Sequence, residues 1–423
     1  MTQIEIPSAS TRRRFPRRVL IVALLCMLTA FGVVLSGHSM GFLQRIEQGA
    51  SDFRSALFSD RITSDHPDVV LISVGGNVSQ SRATFDRRTI DVDRGHLARL
   101  IGLIDESAPR AIGIDIPLRG SGDPIVDEAL QKVLREAKAR VVIGVRNDGS
   151  AVTPERRAWI NAFIAGTGRQ AGHISSIYDD GQGRVVRVEE PRPTAGNQAN
   201  SFALLMARAL RPETIADRGP IAWLQRVDED RWLTQYMSLG GQQPFRTLYG
   251  EEILDGHKSL PPRQLSGRLV LITTGLAEIE RHRTPLTSWT GEALAPIQIQ
   301  AQALAQMLDR RSVGEVAPHT LRLGLFTLAC FAGLVGWYRG PGWHIPGTLF
   351  ALAMLVMIDA LVFSWREVAL PIVPALIVWL LADVAGRSLR HINDWEELHG
   401  QPLPSEASPE SEAMVAGQSG SRA

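Results

Sequence analysis

The stretch Val92–Leu118, VDRGHLARLIGLIDESAPRAIGIDIPL, decides how the rest of the chain is read. Leu97, Leu100, Ile101 and Ile104 recur at three- and four-residue steps, which gives a helix one apolar face. Pro109 cannot continue that helix, and Ala111 to Ile116 is a short apolar run of strand length. Asp115 interrupts the run near its end. The unit is therefore helix then buried strand, with a carboxylate where the strand gives out.

Working outward, the same grammar repeats. VVLISV at 69–74 reads as a buried strand closed by Gly75-Gly76. Ile125 to Ala137 makes a helix with Val126, Ala129, Leu130, Val133 and Leu134 inward, and RVVIGV at 140–145 is the next strand. Strand, helix, strand, helix, strand is the pattern of a mostly parallel sheet covered by helices. An amphipathic helix over Phe42 to Leu57 precedes it. The second half is less regular. Gly172 to Val188 carries a turn, Asp179-Asp180-Gly181, between runs of strand character and reads as a hairpin. Ser201 can cap a helix with Phe202, Leu205, Met206, Ala209 and Leu210 inward. Phe245 to Leu254 reads as loop and short helix, Leu269 to Thr273 as a buried strand, and Ile297 to Leu308 as a helix. The fold class expected is an α/β domain with a mixed, mostly parallel sheet, plus four transmembrane helices.

The membrane segments follow from apolar length. Val19 to Gly37 has 19 residues without a charge, enough to cross a hydrocarbon core of roughly 30 Å. Arg12, Arg13, Arg14, Arg17 and Arg18 before it hold residues 1–18 in the cytoplasm, and no small-x-small cleavage site follows. Residues 38–316 contain no comparable run and form one large region outside the membrane. Three further spans are expected at 318–338, 345–365 and 368–385, with the last weakened by Pro371 and Pro374. The topology places a large domain in the periplasm of a bacterial inner-membrane protein, with both termini cytoplasmic. Arg339, Arg387 and Arg390 then fall on the inner side, as the positive-inside rule requires. Residues 386–423 form a cytoplasmic tail, of Pro, Ser, Glu and Gly from Gln401 on and expected to be disordered.

Composition excludes several classes. The 423 residues carry a net charge of +1, without the basic excess that binds nucleic acid. Both cysteines, Cys26 and Cys330, fall inside apolar runs, so the domain holds no disulfide framework or cysteine zinc site. His96, His173, His257 and His282 are scattered, and none pairs with another at H-x-x-x-H spacing. No metal, cofactor or catalytic set is expected, and the chain is read as a non-enzyme.

The order and spacing of these segments resemble the type-two CHASE sensor domain, an extracytoplasmic module of bacterial transmembrane receptors that precedes three membrane helices. The landmarks are Asp52-Phe53-Arg54, VVLISV, the Arg94 helix with AIGIDIPL at 111–118, and Asp127 to Leu134 before RVVIGV. GHISSIYDDGQGRVVRV at 172–188, Ser201 to Leu204, GRLVLITTG at 267–275, Thr284-Pro285 and IQIQAQALAQML at 297–308 complete them. The chain departs from the family at three places. Gly75 and Gly76 stand where members carry an acid, Gln300 stands where a His often precedes the Ala of the last helix, and residues 281–283 replace an often acidic stretch. The resemblance implies a sensor input. Members continue into a cyclase, diguanylate cyclase or kinase, whereas residues 386–423 are too short for one.

Four residues are candidates for ligand binding. Asp115 ends a central strand, where open α/β sheets place ligands; alternatively it caps backbone or pairs with Arg94 or Arg119. Arg94 binds an anionic ligand or makes a structural ion pair. Gly75 and Gly76 admit close ligand approach or form only a turn. Within the membrane, Arg322 lies roughly 6 Å and Asp359 roughly 9 Å from the outer ends of their spans. Charges in lipid are expensive, so the two are expected to pair as a transmembrane coupling element, the alternative being that each snorkels outward. The function expected is a sensor subunit, a homodimer in contact with membrane lipid, passing an envelope signal through four helices to a separate cytoplasmic kinase or cyclase-type protein. The alternative is a structural or scaffolding subunit of an envelope complex.

Overall fold

A computed structural model describes residues 28, 32, 41–58, 61–62, 65–74, 93–116, 120, 122–145, 153–174, 177–178, 185–187, 201–212, 225–226, 237–238, 244–255, 262–274, 281–284, 287, 291–309, 314–366 and 368–399. The span expected at 19–37 (beyond residues 28 and 32), Gly75, Gly76, the turn at 179–181 and the tail from 401 lie outside the described residues. The chain divides into two compact units, one of residues 48–317 with 360–370, the other of 1–47, 318–359 and 371–423.

In the first unit, the decisive stretch folds as its pattern dictates. Helix α1 (Gly41–Phe58) leads in, and β1 (Arg61–Ile62) and β2 (Val69–Val74) follow. Helix α2 (Arg94–Glu106) starts at Asp93, whose carboxylate accepts the Gly95 and His96 amides at 2.8 and 3.0 Å. Those two otherwise orphaned N–H groups are the reason an N-terminal Asp is favoured there. They also hold the Asp93 carboxyl below its ordinary pKa, the His96 amide contributing most. The helix stops short of Pro109, and β3 (Ala111–Asp115) runs back under it. Leu97, Leu100, Ile101 and Ile104 are all buried.

Helix α3 (Pro124–Glu136) is capped by Asp123 and leads to β4 (Arg140–Val145). Helix α4 (Pro154–Thr167) has Thr153 as cap and Pro154 in its first turn, and it ends on Gly168 at φ 64°, a left-handed position that glycine takes without strain. Then come β5 (Gln170–His173), the hairpin of β6 (Ile177–Tyr178) and β7 (Val185–Arg187), and α5 (Phe202–Leu210). Ser201 caps α5 by accepting the Leu204 amide at 3.1 Å. Strands β8 (Gln225–Arg226), β9 (Met237–Ser238) and β10 (Arg246–Tyr249), short helices α6 (Gly250–Leu254) and α7 (Pro262–Leu265), β11 (Leu269–Thr274), α8 (Pro296–Leu308) and β12 (Gly314–Val316) complete the unit's own run.

Six strands form one sheet in the order β10-β2-β11-β3-β4-β5, and every pairing in it is parallel. Both faces are covered, as parallel sheets require. Val70, Ile72, Ile112, Ile114, Val141 and Ile143 pack under α2, α3 and α4. The alternate residues, Val69, Leu71, Ala111, Val142, Leu269 and Leu271, pack under α5 and α8. The connection leaving β2 therefore covers one face and that leaving β11, its neighbour, covers the other.

Several expectations are corrected. The sheet is wholly parallel, and Arg246–Tyr249 is an edge strand paired with β2 where a loop was expected. Gln170–His173 joins β4 in the parallel sheet, so the hairpin is confined to β6 and β7. On α3, Ala129 is exposed while Asp127 is buried.

The second unit carries three helices long and apolar enough to cross a membrane. They are α9 (Pro318–Tyr338), α10 (His344–Arg366) and α11 (Ile372–His399). The last differs most from expectation. Val368-Ala369 forms a strand, β13, and α11 begins only after Pro371 and continues well past residue 385. Pro374 sits in its first turn, where the missing N–H has no helical partner to lose.

Candidate ligand site at the carboxyl end of the sheet

In-register pairing lines up Tyr249, Ser73, Thr273 and Asp115 across β10, β2, β11 and β3. Ser73, Thr273 and Asp115 are buried. They sit where adjacent strands send their connections to opposite faces, the crevice in which open α/β sheets bind ligands. Which face Asp115 takes follows from alternation. A Cβ built on Gly113 would lie 2.6 Å from Phe202 Cζ and 3.0 Å from Met206 Sδ, so this side of β3 presses on α5. Asp115, two residues on, shares that side.

The next strands bring α8 into the same place. Gln300 donates from Nε2 to the Ile174 carbonyl at 3.2 Å. Ile174 in turn lies over Gly144, where a Cβ would come 2.8 Å from its Cγ2 and 3.5 Å from Asp115 Cα. Asp115, Gly144, Ile174 and Gln300 thus form one patch, and only glycine at 144 lets them close up. Gln300 is buried and its Oε1 has no hydrogen-bond partner. The spare acceptor capacity of Gln300 Oε1, on the same side of the sheet as a carboxylate and two hydroxyls, suits a ligand that presents N–H or O–H donors. Sequence reasoning singled out Gln300 only as a departure from the family; its bond to Ile174 depends on packing between the end of β5 and α8.

Arg94 is in the other layer. Its Nη1 pairs with Asp127 Oδ1 and its Nη2 donates to the Gly120 carbonyl. The guanidinium also lies 5.1 Å from the centre of the Trp159 ring. Asp127 Oδ2 accepts the Gly122 amide at 3.0 Å. Arg94 is buried and committed on all these sides, so the structure gives it the ion-pair geometry, with Asp127 and not Asp115 as partner. Asp115 and Arg94 are not brought together.

His173, beside Ile174, is fully buried, and neither ring nitrogen has a hydrogen-bond partner. Burial without compensation disfavours the charged ring and lowers its pKa from 6.5 to about 4. The folded state therefore binds this proton more weakly than the unfolded chain does. Its stabilising contribution is whole above pH 6.5 and is lost as pH falls through the window from 6.5 to 4. A loss of about 2 kcal/mol is expected by pH 5. His173→Leu should flatten that part of the pH–stability curve, measured by chemical unfolding; an unchanged slope would show that other groups govern it.

In the membrane unit, Arg322 is exposed and makes no ion pair with Asp359, which is buried. The expected pair does not form because α9 packs chiefly against α11: Leu325, Ala329 and Ala332 meet Val378, Trp379 and Ala382. Asp383 instead pairs with Arg387, one turn on along α11. Both also hydrogen-bond Thr348 Oγ1 on α10, which lies 2.8 Å from Asp383 Oδ2. The i, i+4 spacing of a carboxylate and a guanidinium in an apolar run was the local signal that could have found it.

Among the described residues no group of three or more His, Cys, Asp or Glu could hold a metal ion. No curated protein and no solved structure matches the chain. Residues 22–337 match the CHASE2 domain, a span that takes in the whole parallel sheet, its covering helices and nearly all of α9. Three quarters of the sequence therefore follow one family pattern, and the chain belongs to the CHASE2 domain family of extracellular sensory domains.

Proposed function

We propose that the chain is the input subunit of a signalling system in a bacterial inner membrane. Its CHASE2 domain stands in the periplasm and both termini are cytoplasmic, with the run at 19–37 as a fourth crossing. The chain works as a homodimer without chemistry of its own, and a separate kinase or cyclase-type protein reads it.

One observation carries this reading: the link between α10 and α11 is built into the sensory unit. Its strand β13 pairs with β12, the last strand of the domain, at Gly314↔Val368 and Glu315↔Ala369, and β12 pairs on its other side with β8. The helix that leads into the domain grips the same link. Arg54 on α1 donates to the Leu370 carbonyl at 3.0 Å and lies 5.2 Å from the centre of the Phe363 ring. Phe58 packs on Phe363 at 5.8 Å. A change in the separation of α1 and β12, the domain's two chain ends, therefore pulls on the segment that joins α10 to α11. A ligand at the Asp115–Gln300 patch produces such a change to the extent that it binds one arrangement more tightly than the other.

The test is capture of the full-length chain from native membranes through its C-terminal tail, followed by assay of the captured material for kinase and cyclase activity. Co-purifying activity is expected. Recovery of envelope structural proteins alone, with neither activity, would overturn the signalling reading in favour of a scaffold.

A further inference from the structure

The end of the membrane unit opposite the α10–α11 link gathers cations from all three helices. Arg339 follows α9, His344 opens α10, and Arg387 and Arg390 lie on α11. Among the described side chains two carboxylates pair with these cations. Asp383 pairs with Arg387, and Asp394 lies 3.6 Å from Arg390 Nε. Arg390 further ties α11 to α9 by donating from Nη1 to the Trp337 and Arg339 carbonyls at 3.3 and 2.7 Å. Arg339 is left without an acidic partner among the described residues.

Positive charge near a membrane helix end sets orientation wherever its side chain points. Here the arrangement is more specific. The Arg339 guanidinium does not extend to water; it folds back against Gly347, where a Cβ would clash with it. Arg339 and Arg387 are both only partly exposed, and Arg339 Nη1 and Arg387 Nε are buried without an acceptor. Tyr338 and Trp343 are exposed beside them, and such rings collect at headgroup depth. A half-buried, uncompensated cation at that depth calls for an anion that resides there. Basic pockets between membrane helices on the cytoplasmic side bind anionic headgroups for this reason.

We propose that Arg339, with Arg387 and Arg390 around it, forms a binding site for the phosphate of an anionic phospholipid of the inner leaflet. The site clamps the ends of α9, α10 and α11 on the side from which a cytoplasmic partner reads them. The proposal rests on the orientation given above, but its test needs neither a signal nor a partner.

The full-length chain in detergent is titrated with phosphatidylglycerol, phosphatidylcholine or inorganic phosphate, and bound lipid is counted by native mass spectrometry. Phosphatidylglycerol is expected to be retained about fivefold over phosphatidylcholine, as one arginine near a membrane surface supplies. Arg339→Gln should remove that preference, whereas Lys132→Gln, an exposed charge on α3, should leave it. The wild-type preference should also fall as salt rises, a readout that needs no variant. Equal retention of the two lipids, a preference that survives Arg339→Gln, or one indifferent to salt overturns the proposal. Displacement of the lipid by equimolar inorganic phosphate assigns the site to a free anion and overturns the lipid assignment.

Discussion

Arg94→Ala is expected to destabilise the sensory domain by about 3–5 kcal/mol, a large share of the roughly 5–15 kcal/mol that holds a domain folded. The arginine opens α2 and Asp127 lies in the first turn of α3, so their pair fixes two helix starts at the carboxyl edge of the sheet. Truncation strands the Asp127 carboxylate, which is buried and among the described residues keeps only the Gly122 amide, on its other oxygen. It also takes the cation off Trp159 and so loosens α4. The cost of breaking such a pair lies chiefly in the charge left behind. The double variant Arg94→Met with Asp127→Leu should therefore regain most of the loss, since apolar side chains of similar size remove the desolvation cost with the attraction. Urea unfolding of the full-length chain, followed through tryptophan fluorescence, measures both. A loss under about 1 kcal/mol for Arg94→Ala would mean that the arginine is kept for an anionic ligand and that the pair is incidental.

The burial of Asp127 is not legible in the sequence. The α3 pattern has apolar residues at 126, 129, 130, 133 and 134, and a period of 3.6 cannot say that a carboxylate beside them turns inward. Asp127 is buried because a guanidinium 33 positions earlier meets it, and that proximity exists only once α2 and α3 pack. The stretch from Val92 to Leu118 was legible because its signals are local: a three- and four-residue apolar spacing and a stopping proline. Strand β11 was legible as a strand, but not its place. It is the last of the six in sequence and inserts between β2 and β3, a pairing that nothing within β11 encodes. The edge strand at 246–249 alternates half-buried and exposed positions over four residues, too few for a period to register. Of the candidate ligand residues, Asp115 was visible as a charge ending an apolar run, whereas its neighbours Gln300 and Gly144 come from other elements. The membrane pair failed for the same reason. Depth along each helix placed Arg322 and Asp359 at similar levels, but depth carries no information on which helices touch, and α9 lies against α11.

That α9–α11 contact carries the second large expected effect. Gly333 and Gly336 on α9 face Asp383 and Gly386 on α11, and a Cβ at Gly386 would clash with the Gly333 carbonyl, one at Gly336 with the Asp383 carbonyl. Small residues let membrane helices approach to backbone distance, where dispersion and not the hydrophobic effect holds them. Because the clashing atoms are backbone, no rotamer change relieves them, and Gly386→Leu must push the helices apart at a cost of about 3 kcal/mol or more. The Arg390 bonds to the Trp337 and Arg339 carbonyls should break with the crossing, since they span the same two helices. Gly324, also on α9, has open space around its Cβ direction, and Gly324→Ala should be neutral or raise stability by up to about 1 kcal/mol through helix propensity. Thermal unfolding in detergent compares the two. A Gly386→Leu chain as stable as the Gly324→Ala chain would show that α9 and α11 slide freely past this point. The observed crossing, with its arginine ties, holds α9 and α11 together at this point.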